Sequence, residues 1–307
     1  MIVARTQAEL AEAIDTAVSD RPGRVAFVPT MGSLHEGHLS LVRHAGEMAA
    51  VTVASIYVNP SQFGPGEDFN AYPRQHDRDA ELLTATGCDI LFLPTTDEVY
   101  PSGFATKVLA SSELAEDLCG AVRGRSHFDG VATVVARLFG LVMPDIAWFG
   151  EKDWQQLLVI RRMTADLYPK IEIASAATVR DEDGLALSSR NSYLNATERR
   201  AAEAVPNAIR AARRAARRNA SPSSCAEQAS AALLAAGIQI EYVEIRRGDD
   251  LGATNPDAVG DDDRIFIAGR IGATRLIDNA SLTQPIPNLD EHLPTPMASA
   301  AEAAATS

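Results

Sequence analysis

Two histidines, His35 and His38, stand three residues apart in the run VAFVPTMGSLHEGHLSLV at positions 25–42. The apolar residues 25–28 read as a short buried strand. Pro29 ends it, Gly32 loosens the turn, and residues 34–42 carry helical apolar spacing. A helix that starts there leaves backbone N–H groups unpaired, and such a start attracts anions. Side chains at i and i+3 share a face, so both imidazoles point the same way, beside those groups. The set suits a phosphate. A single histidine in this place would be read as a cap or a half-buried polar residue; two on one turn favour chemistry. HExxH zinc chemistry needs i, i+4 spacing, which argues against a metalloprotease.

Other reactive residue types follow apolar runs in the same manner. VTVASIYV at 51–58 reads as a buried strand of the parallel kind, and Asn59-Pro60-Ser61-Gln62 comes directly after it. An open α/β sheet places ligands in such loops, so Gln62 is a candidate; Asn59 and Gln62 could equally satisfy turn backbone. The strand at 146–149 ends in Gly150-Glu151-Lys152-Asp153. A lysine there offers triphosphate a compact charge on a flexible stem, although lysines between acids are ordinarily solvated. In DGLALSSRN at 183–191, Ser188, Ser189 and Arg190 are compact donors for phosphate oxygens, or else a helix N-cap with a charged neighbour.

The elements that must position these groups alternate. Helical spacing is predicted over 5–20, 34–42, 79–86, 131–142, from 153 onward, over 197–218 with Pro206 as a kink or break, and over 226–236. Strands are predicted at 25–28, 51–58, 89–93, 105–110, 146–149, 171–174, 238–245 and 264–268. The expected class is α/β. A Rossmann-like, doubly wound parallel sheet over residues 1–178 is followed by a smaller α+β domain over 179–283. A tail over 284–307, rich in Pro and Ala, is expected to be disordered. Arg210, Arg213, Arg214, Arg217 and Arg218 form a basic helical stripe, read as a solvated face rather than a nucleic-acid arm.

Composition narrows the partners. The chain has 307 residues, 46% hydrophobic and 22% charged, with net charge −13 and pI near 4.9. That excess of acid argues against nucleic acid or an anionic membrane as a general partner. Cys88, Cys119 and Cys225 have no paired spacing, which suggests reduced thiols in a cytoplasmic protein. MIVARTQAEL lacks the apolar core of a signal peptide, and no apolar run reaches the length of a membrane span.

The decapeptide Pro29-Thr30-Met31-Gly32-Ser33-Leu34-His35-Glu36-Gly37-His38 resembles the signature of the pantothenate synthetases (pantoate–β-alanine ligases). Its His-x-Gly-His core is similar to the HIGH motif of nucleotidylyltransferases and class I aminoacyl-tRNA synthetases. Further segments match in order: VNPxQF around Gln62, ED-x-x-x-YPR from 67, GEKDxQQ from Gly150, DGLAxSSRN from 183, and TRLIDN ending at Asn279. There are two departures. Arg78 stands among the acids Asp77 and Asp79, where the family carries neighbouring acids near Mg²⁺. At 123–127, Arg-Gly-Arg-Ser-His replaces a shorter stretch with Pro-Gly before the histidine.

The resemblance implies an ATP-dependent ligase joining (R)-pantoate to β-alanine through a pantoyl adenylate, with Mg²⁺ accompanying ATP and a homodimeric assembly. It implies that His35, His38 and Lys152 act on the phosphoryl oxygens. Met31, Gly32, Gly150, Glu151, Asp153, Val179, Leu187, Ser188, Ser189 and Arg190 would complete the ATP site, with SSRN the counterpart of the synthetases' mobile KMSKS loop. Pro29, Met31, Gln62 and Gln156 would hold pantoate and β-alanine, and Asp79 the metal. A nucleotidylyltransferase that joins no amine and a nucleotide-binding protein without activity are the alternatives at this point.

Overall fold

A computed structural model describes residues 1–286 and Leu289. The chain begins with strand β1 (Ile2–Ala4), which has no sequence signal beyond its three residues, and helix α1 (Gln7–Asp20), closed by a capping box between Thr6 and Glu9. Then come β2 (Val25–Thr30), α2 (Glu36–Met48), β3 (Val51–Ile56), α3 (His76–Thr86) and β4 (Ile90–Phe92). Three short helices follow: α4 (Thr96–Val99), α5 (Ser112–Ala115) and α6 (Cys119–Arg123). They lead to α7 (Ser126–Val142), β5 (Ile146–Gly150), α8 (Trp154–Leu167) and β6 (Glu172–Ala176).

These six strands form one parallel sheet in the order β1-β4-β3-β2-β5-β6. Because both faces of the central strands are covered, β2 to β5 are predominantly apolar, while the edge strands β1 and β6 are more exposed. In β2, Val25 and Phe27 enter the apolar layer under α1 and α7, while Ala26 and Val28 enter the layer under α2. The chain winds outward from β2 to β4 and returns to β5, which pairs with the other edge of β2 through Ala26↔Ile146 and Phe27↔Ala147. That reversal opens a crevice at the carboxyl ends of β2 and β5, the place where such sheets take ligands.

The second half holds α9 (Ala196–Ala202), α10 (Ala204–Ala216), α11 (Pro222–Ala235) and an antiparallel sheet of β7 (Gln239–Arg247), β8 (Asp263–Ile271) and β9 (Thr274–Ser281). It has its own apolar cluster, built from Val205, Ile209, Leu233, Ile265 and Ile267 among others.

Several expectations change. No strand forms at 105–110: that stretch lies against α7, with Val108 N–H bonded to Thr133 Oγ1 and Ala110 N–H to Asp129 Oδ1. The helix break falls between Ala202 and Ala204, and Pro206 sits in the first turn of α10, where its missing N–H costs nothing. The basic stripe is only in part a solvated face: Arg218 is exposed and Arg214 and Arg217 are half-buried, but Arg210 and Arg213 are buried. Arg213 is 0% exposed and Arg210 8%. Arg210 donates to the carbonyls of Asp183 and Leu289, and Arg213 to those of Ser281 and Gln284. Apart from residues 284–286 and Leu289, the expected tail lies outside the described residues.

Candidate active site

The histidine turn is built by its own backbone. His35 is the N-cap of α2, with extended backbone, and its Nδ1 accepts from Gly37 N–H at 3.2 Å. His38, three residues on, accepts the His35 N–H at its Nδ1, 3.4 Å away, closing a capping box made of two imidazoles. Each ring therefore accepts at Nδ1 and carries its proton on Nε2. The ring centroids are 4.1 Å apart. Gly37 lets the His35 ring lie close over the turn, since a Cβ would stand 3.0 Å from His35 Cε1 and Nδ1 and press on the ring. Burial, then the charge of Lys152, pushes the His35 pKa down to about 4. Burial, then His35 and Lys152, pushes that of His38 down to about 3. Both rings are neutral donors near pH 7.

Asp79 takes a structural place. It is 0% exposed, and its two carboxylate oxygens accept the Leu34 and Ser33 N–H groups, each at 2.8 Å. Both oxygens thus hold the loop before the histidine turn, a structural task that the sequence expectation of a metal ligand did not include. Arg78 reaches the Leu34 carbonyl at 3.4 Å. Gly32 backs onto Asp79 and is not in the cavity lining.

Gln62 lies in a 3-10 turn, Pro60–Gln62, after β3. Its Oε1 accepts from Asn59 Nδ2 at 3.1 Å, and its Nε2 points to Met31 Sδ at 3.2 Å. The turn packs on α7 at Gly130, where a Cβ would run into the Ser61 carbonyl oxygen. The stretch around the 123–127 departure is helical, as α6 and the start of α7. In it, Arg123 donates to His127 Nε2 at 2.8 Å, so His127 carries its proton on Nδ1 and donates to the Gln62 carbonyl, also at 2.8 Å. Arg123 also pairs with Glu67 at 2.6 Å. Burial opposes ionisation of Glu67, but the bond and charge of Arg123 hold its pKa down at about 2.

Lys152 sits in the 3-10 turn Glu151–Asp153, one turn before α8, so it does not share a helix with Gln156. Both nevertheless line the same cavity of about 660 Å³. Pro29, Met31, His35, His38 and Gln62 line it from β2 and the turns beyond. Gly150 and Asp153 line it from the end of β5 and the turn that follows, Val179 and Leu187 from the segment after β6, and Ser188, Ser189 and Arg190 from the start of the second half. Glu151 is outside the lining, and its carboxylate accepts from Ser175 Oγ at 3.1 Å. Gln155 is buried and holds the α5–α6 connection, donating to the Leu114 and Asp117 carbonyls at 2.9 and 2.8 Å. Ser188 caps its own 3-10 turn by accepting the Arg190 N–H, so the capping reading is realised at the cavity wall.

The sequence reading gave no role to Asp68 or Tyr72. Asp68 pairs with Arg190, and Tyr72 OH lies 3.2 Å from Ser189 Oγ. Both fall in the EDFNAY run, where the acid pair was the signal. Among the described residues no cluster of three His, Cys, Asp or Glu could hold a metal unaided. Of the carboxylates that line the cavity, Glu67 and Asp68 are paired with arginines, while the half-exposed Asp153 stands beside Lys152, 3.9 Å from its Nζ. That supply fits an ion such as Mg²⁺, whose other ligands are phosphate oxygens and water. Chemically, the cavity lining offers neutral imidazole N–H donors, cations that include Lys152 and Arg190, and the hydroxyls of Ser188 and Ser189, together with the amide of Gln62 and the apolar Phe128, Val131 and Val135.

The family model described as pantoate-beta-alanine ligase matches residues 2–281. A pantothenate synthetase of Caulobacter vibrioides is 51% identical over 283 residues, covering 92% of this chain and 98% of its own. A crystal structure of the pantothenate synthetase from Thermus thermophilus aligns with a TM-score of 0.86 at 46% identity, over 92% of this chain and 99% of that one. A Francisella tularensis pantoate-beta-alanine ligase, solved with beta-gamma ATP and beta-alanine, aligns at 0.78 and 31% identity, over 93% and 99%.

Proposed function

This chain belongs to the pantoate–β-alanine ligase family, and from that premise we propose how its own residues carry the reaction. The reaction is the ATP-dependent condensation of pantoate, as the (R) acid, with β-alanine to give pantothenate, AMP and pyrophosphate. A carboxylate is a poor acylating agent because its leaving group would be oxide. In the first step a pantoate carboxylate oxygen attacks the α-phosphorus of ATP. An O–P bond forms, and the bond to the bridging oxygen breaks with departure of pyrophosphate. In the second step the neutral amine of β-alanine attacks the acyl carbon, AMP leaves with the bonding pair, and the amine proton is lost.

Neither step needs a side-chain nucleophile; both need positioning and cancellation of phosphoryl charge. The observation that carries the assignment is the histidine pair. Two neutral imidazoles with Nε2–H free of the backbone bonds at Nδ1 stand at a helix start, in one cavity with Lys152. They donate to oxygens without adding a titrating charge, and Lys152 and Arg190 supply the charge. Ser188 and Ser189 add hydroxyls, and Gly150, Asp153, Val179 and Leu187 form the nucleotide wall. Mg²⁺, carried with ATP and bordered by Asp153, would neutralise the polyphosphate. Pro29, Met31, Gln62 and Gln156 orient pantoate, with apolar α7 residues against its methyl groups. Gly32 and Glu151 act from behind the wall, as backbone support.

Residues 1–178 and 179–283 are proposed as the nucleotide-binding body and the part that covers it. We also propose a homodimer, which rests on the family resemblance, and a cytoplasmic location, supported by three cysteines that are all free thiols. No helix among the described residues is long and apolar enough to cross a membrane.

The test is release of pyrophosphate and AMP from MgATP. A pantoate-dependent burst of pyrophosphate that becomes sustained turnover, with AMP and pantothenate, only when β-alanine is added is the expected result. No pantoate-dependent pyrophosphate would overturn the reading.

A further inference from the structure

Asn279 lies on β9 in the antiparallel sheet and is 4% exposed, yet its side chain serves the other sheet. Its Nδ2 donates to two consecutive carbonyls, Glu151 O at 3.0 Å and Lys152 O at 2.8 Å. Its Oδ1 accepts from Arg264 Nη1 at 2.6 Å. Chemistry fixes the orientation of this amide: a guanidinium only donates and a carbonyl only accepts. Arg264 in turn lies 3.6 Å from the ring centroid of Trp154, the residue that begins α8, and the Trp154 indole N–H donates to the Gly248 carbonyl at 2.7 Å. The short turn that presents Lys152 to the cavity is thus clasped from β8 and β9, at both of its first two carbonyls and at the residue that follows it.

We propose that Asn279 is a positioning residue for the ATP-binding step, setting Lys152 against the phosphates by holding the backbone of its turn. The proposal rests on the reading of Lys152 as a phosphate ligand. A lysine stem is long and flexible, so its charge is placed only as well as its Cα is fixed. The Glu151–Asp153 turn has no side-chain cap of its own. Asn279 supplies that support from 127 residues away in sequence. The phosphate side of the cavity is therefore complete only when the β7–β9 sheet is docked on α8, and ATP affinity reports that docking.

The variant Asn279→Asp keeps an acceptor for Arg264 and loses both donors. ATP dissociation constants are measured by calorimetry with Mg²⁺ and no pantoate, for the whole chain, Asn279→Asp, Lys152→Met and the double variant. Asn279→Asp should weaken ATP at least about tenfold, the loss expected when hydrogen bonds to two buried carbonyls are removed. In the Lys152→Met background the same change should cost less than about threefold, because coupled residues are non-additive. Asn279→Ser, neutral and with one donor, should fall between, and it stands in if the aspartate variant does not fold. A merely structural effect would multiply with Lys152→Met. Multiplication, or unchanged affinity in Asn279→Asp, overturns the proposal. If Lys152→Met itself binds ATP normally, the reading of Lys152 fails; if only Asn279→Asp does, this proposal fails alone.

Discussion

His38 receives at Nδ1 the backbone N–H of His35, the residue whose own Nδ1 receives Gly37 N–H. One turn of backbone thereby sets the tautomer of both rings and leaves two Nε2–H groups to donate. Replacing His38 with Ala removes one such donor and one half of the capping box. Turnover in the adenylation step should fall at least about tenfold, the low end for loss of a transition-state hydrogen bond. Pantoate-dependent pyrophosphate release checks this, and near-normal turnover would remove His38 from the mechanism.

Neutral rings also set the pH dependence. A histidine acting as a cation would give kcat/KM for ATP an inflection near 6.5. Here the free-enzyme rings protonate only near pH 4 and 3. The first half-reaction, followed with excess Mg²⁺ to keep the nucleotide ionised, should show no histidine inflection between pH 8 and 5. A loss of activity as pH rises through 6.5 would mean that an imidazolium is the working form.

The same shifts bear on stability. His127 joins the pair, its pKa pushed down to about 4 by burial and then by Arg123. As pH falls from 6.5 towards 4, the unfolded chain takes up protons on these three rings that the folded chain refuses. Folding stability is therefore full above 6.5 and declines below it, at up to about 1.4 kcal/mol per pH unit for each ring. Urea unfolding at pH 6.5, 5.75 and 5 measures the slope, and His127→Gln should reduce it by close to one proton. An unchanged slope in that variant would show that His127 is charged in the folded state.

Asp79 provides a sharp contrast between two roles. As the clamp on Ser33 and Leu34, its replacement by Ala leaves two N–H groups without a partner and should cost about 2–4 kcal/mol of stability. The Mg²⁺ concentration for half-maximal activity should stay as it was. A shift of that midpoint at unchanged stability would return Asp79 to the metal.

These contrasts show what the sequence could disclose. Apolar runs locate β2, β3 and β5 and helical spacing locates α2, and such runs imply a sheet covered on both faces. The histidine turn, Lys152 and Ser188–Arg190 were legible because each follows a strand or a glycine turn in a local motif. What was hidden is long-range. Asp79 finds its partners 45 and 46 residues back. Arg213 reads as a surface charge until the carbonyls of Ser281 and Gln284 arrive to bury it. Asn279 stood in a quoted motif, but its task depends on a contact between two sheets. The strand expected at 105–110 does not form because the Val108 and Ala110 N–H groups are taken by α7 side chains, a contact that the local sequence cannot show.

A buried ion pair near Asn279 allows a last test of how the second half is held. Arg180 and Asp278 meet in bidentate fashion, at 2.6 and 2.9 Å, with both side chains 1% exposed. Their attraction must first offset the cost of removing two charges from water, so the pair's net contribution is small while the penalty for breaking it is large. Asp278→Ala should destabilise the chain by about 3–5 kcal/mol, leaving a buried guanidinium unpaired. The double variant Arg180→Met, Asp278→Leu removes both charges and should recover most of that loss in urea unfolding. If the double variant is as unstable as the single one, the pair contributes specific geometry to β9 rather than mere charge compensation. The ATP affinity of the recovered double variant then separates the two, since Asn279 can hold the Lys152 turn only if β9 keeps its register.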